Sequence, residues 1–138
     1  MIVVLAAISI PAYQDHILRS NRALAKTTLL ELASQQEAYA LQHSTYAVDL
    51  SVLLGNELAN VNTFFLSRDG GKAKALNGSG NSIYKCELLE ATATSFNLRA
   101  SAVGTQLNDR HCQSLTLSSK GQRTAAAGQK EDHSICWQ

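Results

Sequence analysis

The chain has 138 residues, of which 45% are hydrophobic and 17% are charged, and its formal net charge is +1. This length allows one domain with a modest hydrophobic core, and the composition excludes a disordered chain. The net charge excludes a polycation that binds nucleic acid through bulk charge alone. From Asn60 onward, however, nine Lys and Arg residues face six Asp and Glu residues, a mild basic bias that permits contact with nucleic acid.

The chain begins with an apolar run, residues 2–10, that only Ser9 interrupts. Nine or ten helical residues rise roughly 15 Å, about half of a hydrocarbon core of roughly 30 Å, so this run is too short to cross a membrane. It is also a poor signal peptide, because no basic segment precedes it and no small-x-small site closes it. Residues 2–18 are too apolar to be left in water, which predicts contact with a partner helix.

Beyond Pro11, which is expected to kink the helix, apolar and small residues recur every three or four positions over about five turns. The residues of this stripe are Leu24, Ala25, Thr28, Leu29, Leu32, Ala33, Gln36, Tyr39, Ala40 and His43. The pattern predicts an amphipathic helix that packs on the core of the domain. The helix is predicted to end between Gln42 and Ser44.

The period of the pattern changes from 3.6 to two in the second half of the chain. A short helical turn that Gly55 stops is predicted first, and residues 56–81, rich in Gly, Asn and Ser, are predicted to form an irregular loop. Four strands are predicted next, at residues 82–89, 96–102, 114–118 and 122–124, with turns at residues 93–95 and 119–121. The apolar face of such a sheet must be buried, and the stripe of the predicted helix is expected to pack on it. The sequence therefore predicts an α+β fold with one helix across a four-stranded antiparallel sheet.

Three cysteines, Cys86, Cys112 and Cys136, suggest one disulfide and one remaining thiol if the chain is exported. Cys86 lies in the middle of a predicted strand, where a buried structural thiol is expected. An alternative is a metal site formed by His111, Cys112, His133 and Cys136, although adjacent His and Cys ligands are sterically awkward. Because the sequence has no nucleophile elbow, oriented base or phosphate-binding loop, we expect no enzyme activity, no cofactor and no metal.

A longer motif runs from Ile10-Pro11-Ala12-Tyr13-Gln14-Asp15 to Arg19-Ser20-Asn21-Arg22. Two later segments accompany it, Leu32-Ala33-Ser34-Gln35-Gln36-Glu37-Ala38-Tyr39 and Cys112-x-x-Leu115-Thr116-Leu117 with Cys136-Trp137. Together they resemble type IV pilins over nearly the whole chain, and most of all the minor, PilE-like pilins. Members of that family carry a short basic leader, a Gly-Phe cleavage site, an assembly Glu and a longer apolar stretch. The resemblance therefore implies that this chain is N-terminally truncated, with Met1 inside a shortened or wrongly assigned N-terminus.

The pilin fold that this resemblance implies has one long N-terminal helix packed on the sheet and a C-terminal loop closed by a disulfide between Cys112 and Cys136. Residues 1–24 would form the apolar assembly and membrane segment, and residues 25–138 the globular headgroup. The side chains expected to make assembly contacts are those of Ile2, Val3, Val4, Leu5, Ile8, Ile10, Pro11 and Tyr13. The loop from 112 to 136 would be the surface that faces a partner.

The resemblance also implies the function of a minor type IV pilin subunit. Such a subunit is held in the inner membrane before assembly and then joins other pilin subunits in a pilus at the cell surface. An alternative is a DNA-receptor minor pilin that binds double-stranded DNA during natural transformation. If they converge, the residues that would contact DNA are Arg68, Lys72, Lys74, Lys120, Arg123 and Lys130. The competing interpretation is that these are solvated charges that keep a filament soluble.

Overall fold

A computed structural model describes residues 3–60, 62–75, 80–127, 130–131 and 133–138, and it describes side chains for all of these except residues 3–10, 127, 130–131 and 133–134. The helices are α1 (Val3–His43), α2 (Leu50–Leu54) and α3 (His133–Cys136), with a 3-10 helix at Gly104–Asn108. The strands are β1 (Thr63–Ser67), β2 (Lys72–Ala73), β3 (Ser82–Ala91), β4 (Phe96–Ala102), β5 (Ser114–Ser118), β6 (Arg123–Ala127) and β7 (Lys130–Glu131).

The long helix α1 spans 41 residues and contains Pro11. Its buried positions include Ala25, Thr28, Leu29, Leu32 and Gln36, which confirms the predicted stripe as a core-packing face. The helix ends at His43, where Ser44 takes a left-handed φ of 59° and donates its backbone N–H to the Ala40 carbonyl at 2.8 Å. The predicted helix end is therefore confirmed. Among the described residues, no helix carries an apolar stretch long enough to cross a membrane.

The described strands form a single antiparallel sheet in the order β2-β1-β3-β4-β5-β6-β7. The predicted antiparallel sheet is confirmed, although the described part of the chain contributes seven strands to it instead of four. Both predicted turns are present. In the first, the Thr92 N–H donates to the Ser95 carbonyl at 2.7 Å, and in the second, Gly121 has a φ of 78° that a residue with a side chain rarely adopts.

The prediction that residues 56–81 form an irregular loop is wrong, because β1 and β2 lie inside that range. In β1, Phe64 and Leu66 are buried while Phe65 lies on the opposite face. A large apolar side chain on each face hides the period of two in a five-residue strand. β2 and β7 have only two residues each, too few to show any period.

The core lies between α1 and one face of the sheet. Cys86 in the middle of β3 faces Phe64 of β1 and Ala100 of β4 across the ladder, and Ala100 in turn faces Leu115 of β5. All four side chains are fully buried. Alternate residues of these strands lie on the other face and stay partly exposed, so the prediction that α1 covers a one-sided apolar sheet is confirmed.

Candidate nucleic-acid interface

A disulfide joins Cys112, just before β5, to Cys136 at the end of α3, with a Cα–Cα distance of 5.6 Å. The predicted pairing is therefore confirmed, and Cys86 is the free, buried thiol that was expected. Because the two sulfurs are bonded to each other, the alternative metal site loses both of its thiolate ligands. Within the described ranges, no group of three or more His, Cys, Asp or Glu side chains is arranged to hold a metal ion.

The residues that follow the disulfide lie against β6 and α1. The Trp137 indole donates its Nε1–H to the Thr124 carbonyl at 2.7 Å. The guanidinium carbon of Arg123 lies 5.5 Å from the centre of the Trp137 ring. The Lys26 ammonium donates to a backbone oxygen of Gln138 at 2.6 Å. These contacts fix the C-terminal residues beside the start of β6.

Two of the predicted DNA-contacting cations lie together in the β5–β6 hairpin. Lys120 is exposed in the turn, and Arg123 is exposed at the first position of β6. Lys130 lies on β7, which pairs with β6, although its side chain lies outside the described residues. We call Lys120 and Arg123 the hairpin cations.

The other three predicted cations lie at the opposite edge of the sheet, around β2. Arg68 is exposed in the turn after β1, and its Nη2 donates to the Thr105 hydroxyl at 3.2 Å. Lys72 lies on the helix side of β2, with its Nζ 3.9 Å from a carboxylate oxygen of Glu31 on α1. Lys74 is exposed directly after β2. We call Arg68 and Lys74 the turn cations.

The sheet order keeps these two groups apart. Five strand-to-strand steps separate β2 from β6, and adjacent strands lie roughly 4.8 Å apart, which gives about 24 Å across the sheet. The DNA-contacting patch predicted from the sequence required these residues to converge, and the sheet order does not bring them together. The structure presents the six residues as two groups at opposite edges.

An open groove of about 390 Å³ lies between α1, the turn after β1 and the 3-10 helix. Its wall includes Arg68 and Arg110, with Asp15 of α1 as a third charged side chain. Arg110 is exposed and was not in the predicted set of DNA contacts. Its neighbour in sequence, Asp109, forms an ion pair with Arg22 of α1.

Two cations share one carboxylate on the sheet face opposite α1. Arg99 donates to the Glu87 carboxylate at 2.8 Å and 3.1 Å, and Lys85 lies 3.1 Å from the same group. Burial acts to raise the pKa of the Glu87 carboxyl, but the hydrogen bonds from Arg99 and Lys85 outweigh it and hold that pKa below its usual value. This cluster therefore keeps one net positive charge, but both of its cations are held by Glu87.

The assembly side chains can be located only in part. Ile2 lies outside the described residues, and Val3, Val4, Leu5, Ile8 and Ile10 lie in α1 with side chains outside the description. Pro11 and Tyr13 are exposed, and Tyr13 keeps 67% of its surface accessible. Of the predicted assembly residues, the two whose side chains are described are therefore both exposed.

The family model described as type IV minor pilin ComP, DNA uptake sequence receptor, matches residues 11–116. No sequence among the curated proteins matches the chain. The matched range contains α1 from Pro11 onward and the sheet as far as Thr116 in β5, whereas β6, β7 and α3 follow it. A match to most of the chain, over a helix and a sheet that pack on each other, establishes that this chain is a minor type IV pilin and belongs to the ComP family.

Proposed function

We propose that this minor pilin is a receptor that binds double-stranded DNA during DNA uptake. The observation that carries the proposal is the match of residues 11–116 to a family described as a DNA uptake sequence receptor. Membership of that family favours DNA binding over the alternative that the cations only keep a filament soluble. The receptor is displayed on a pilus surface, where its headgroup meets extracellular DNA.

The charge distribution supports DNA contacts at the two edges of the sheet. Among the described residues, no ion pair joins the hairpin cations or the turn cations to a carboxylate. Lys72, Lys85 and Arg99, in contrast, each have an acidic neighbour. A cation without such a neighbour attracts a phosphate without first losing an internal partner. A separation of about 24 Å corresponds to roughly seven base-pair steps of 3.4 Å, so one duplex can bridge both groups.

The experiment is a fluorescence-anisotropy titration of the full chain in mild detergent with a labelled 20-base-pair duplex at several salt concentrations. We expect saturable binding that weakens steeply with salt, because phosphate contacts release counterions. The double variants Lys120→Ala/Arg123→Ala and Arg68→Ala/Lys74→Ala should each weaken binding. Removal of one phosphate contact should reduce the slope of log K against log salt by about 0.9.

Lys85→Ala is the control, since the ammonium that it removes already lies 3.1 Å from Glu87 and is therefore less available to a phosphate. Its affinity should stay close to that of the unmodified chain. Absence of binding at low salt would refute the receptor function and leave a purely structural minor pilin. A weaker affinity in Lys85→Ala than in both double variants would move the interface to the sheet face opposite α1.

We also infer that the subunit is held at the inner membrane before assembly and contacts other pilin subunits through the start of α1. Support comes from the family match and from the exposure of Tyr13, which is 67% accessible within a helix that packs on the sheet only farther along. Tyr13→Arg should reduce the amount of subunit recovered in pili sheared from cells. Leu41→Arg, at an 88% exposed position near the other end of α1, is the control. Equal losses in both variants would argue against a localised assembly seam.

A further inference from the structure

Arg123 and Trp137 form a guanidinium–indole pair at the start of β6, and neither residue lies in the range 11–116 that the family model matches. We propose that this pair is a DNA phosphate-binding element in which the indole ring holds the Arg123 guanidinium ready for a bidentate contact. The inference rests on the proposed DNA-receptor function and adds a site to it. The ligand is a phosphate group of the DNA backbone.

The ring is fixed before any ligand arrives. Its Nε1–H donates to the Thr124 carbonyl at 2.7 Å, and the residue before it, Cys136, is bonded to Cys112. One hydrogen bond and one covalent bond therefore anchor the aromatic surface to β6 and to the start of β5. A fixed aromatic ring can order a flexible cationic side chain that packs on it.

The contact with the Trp137 ring orders the Arg123 side chain and leaves its N–H donors available. The guanidinium carbon lies 5.5 Å from the ring centre, a distance at which the ring attracts a cation through its π electrons. The flat guanidinium carries its N–H donors in its plane, so a contact with the ring leaves those donors available for the paired oxygens of a phosphate. Because the side chain is already ordered, binding costs less conformational entropy than with a free arginine.

The surroundings favour an anionic ligand at this position. Arg123 is exposed, and no ion pair links it to a carboxylate among the residues whose side chains are described. Lys120, also exposed, lies three residues earlier in the same hairpin and adds a second positive charge. Two cations on one hairpin match successive phosphates of a single strand better than they match one isolated carboxylate.

The competing interpretation is that the Arg123–Trp137 pair has a purely structural role and only fastens the C-terminal residues to β6. Substitution of Arg123 by Lys separates the two roles. Lysine keeps the charge and can still lie over the ring, but it lacks the planar pair of donors that a bidentate phosphate contact needs. If the pair is purely structural, Arg123→Lys should cause no loss of DNA affinity, whereas a phosphate-binding element should lose affinity.

Trp137 is the only tryptophan of the chain, so its emission reports on this site alone. The experiment titrates the full chain in mild detergent with a 20-base-pair duplex and records both tryptophan emission and the anisotropy of the labelled DNA. We expect the two signals to give the same Kd. We expect Arg123→Lys to weaken binding about tenfold, the cost of one charge-assisted contact. Trp137→Leu, followed by anisotropy, should weaken it by several fold.

Arg99→Lys is the matched control, because it makes the same substitution at an arginine already paired with Glu87, and its affinity should be unchanged. Thermal melts and non-reducing peptide maps check that each variant keeps the fold and the Cys112–Cys136 bond. The proposal is overturned if Arg123→Lys binds as tightly as the unmodified chain, or if DNA binds without changing Trp137 emission. If the unmodified chain binds no DNA at low salt, the receptor function itself fails, and this site fails with it.

Discussion

Arg22 of α1 and Asp109, directly after the 3-10 helix, form a two-point ion pair with an Nη2–Oδ1 distance of 2.6 Å and an Nε–Oδ2 distance of 2.9 Å. Gln106 extends the contact, since its Oε1 accepts from Asn21 Nδ2 at 3.0 Å and its Nε2 donates to the Leu18 carbonyl at 3.1 Å. These α1 residues precede the boundary predicted between residues 24 and 25. The headgroup therefore begins to hold the helix before that boundary.

Removal of one partner from this ion pair should destabilise the domain. Arg22→Ala leaves the Asp109 carboxylate, whose side chain is only 6% exposed, without its charged partner, and we expect a loss of about 3 kcal/mol in the free energy of unfolding. Urea denaturation of the full chain in mild detergent measures it. The double variant Arg22→Met/Asp109→Leu should lose less, because no charge stays buried. Arg19→Ala, at an exposed position one turn earlier, should be neutral, and an equal loss there would contradict the assignment.

The buried face of α1 can be tested with two adjacent leucines. Leu29 is fully buried, whereas Leu30 is 42% exposed. Leu29→Ala should cost about 2–5 kcal/mol through reduced burial and the cavity left behind, and Leu30→Ala should cost far less. Urea melts of the two variants give the comparison directly. Similar losses at both positions would mean that the helix does not present one face to the sheet.

The helix and its buried face could be predicted from the sequence because a period of 3.6 over five turns is a strong signal, as the positions of Ala25, Leu29 and Leu32 show. The later strands could be predicted because Leu98 and Ala100 alternate with polar residues. β1 could not, since Phe65 interrupts the alternation of Phe64 and Leu66 on a strand only five residues long. Local patterns carry no signal for such a strand.

Contacts between residues far apart in sequence were also beyond prediction. Arg22 and Asp109 are separated by 87 positions, and nothing near either residue indicates the partner. The same limit applies to the candidate site. Arg68 and Arg123 both fall in basic segments, but only the strand order, with β1 and β2 at one edge and β6 toward the other, shows that they lie apart. The Trp137–Arg123 contact likewise depends on how the disulfide returns the chain to β6.

The disulfide should contribute to stability mainly by restricting the unfolded chain. It links residues 24 positions apart, and closing a loop of that length is worth roughly 3 kcal/mol in the chain-entropy picture. We expect the double variant Cys112→Ser/Cys136→Ser to unfold at lower urea concentration by a corresponding amount. Non-reducing peptide mapping of the unmodified chain should find Cys112 linked to Cys136 and Cys86 free. A Cys86 linkage would refute the pairing.

Cys86 should make stability fall at alkaline pH. Burial raises the pKa of its thiol from 9.0 to about 12, and burial also raises the pKa of the Tyr84 phenol above its usual value. A group whose pKa is higher in the folded state stabilises the fold fully below its unfolded pKa, and that contribution is lost as pH rises through the folded pKa. The free energy of unfolding should therefore decline between about pH 9 and 12. Cys86→Ala should show a shallower decline, and an identical slope would argue against a buried thiol.

The side chain of Gln36 serves as the hydrogen-bond partner of the Ala47 backbone, in the turn after α1. Its Nε2 donates to the Ala47 carbonyl at 2.9 Å, and its Oε1 accepts the Ala47 N–H at 2.8 Å, in a fully buried position. Gln36→Ala leaves both backbone groups without a partner, and we expect a loss of about 3 kcal/mol in urea melts. Gln42→Ala, at an exposed position of the same helix, is the control.

Gln36→Glu tests the donor separately, because a carboxylate can accept from the Ala47 N–H but cannot donate to its carbonyl. A buried carboxyl keeps its proton to higher pH than an unfolded one, so its folded pKa is raised. The stability of this variant should therefore be highest below the unfolded pKa of about 4.3 and should fall as pH rises through the folded value. Urea melts at pH 4 and pH 7 measure the difference, with the unmodified chain as reference. A deficit that does not change with pH would show that shape alone, and not the hydrogen bond to the Ala47 carbonyl, makes Gln36 necessary.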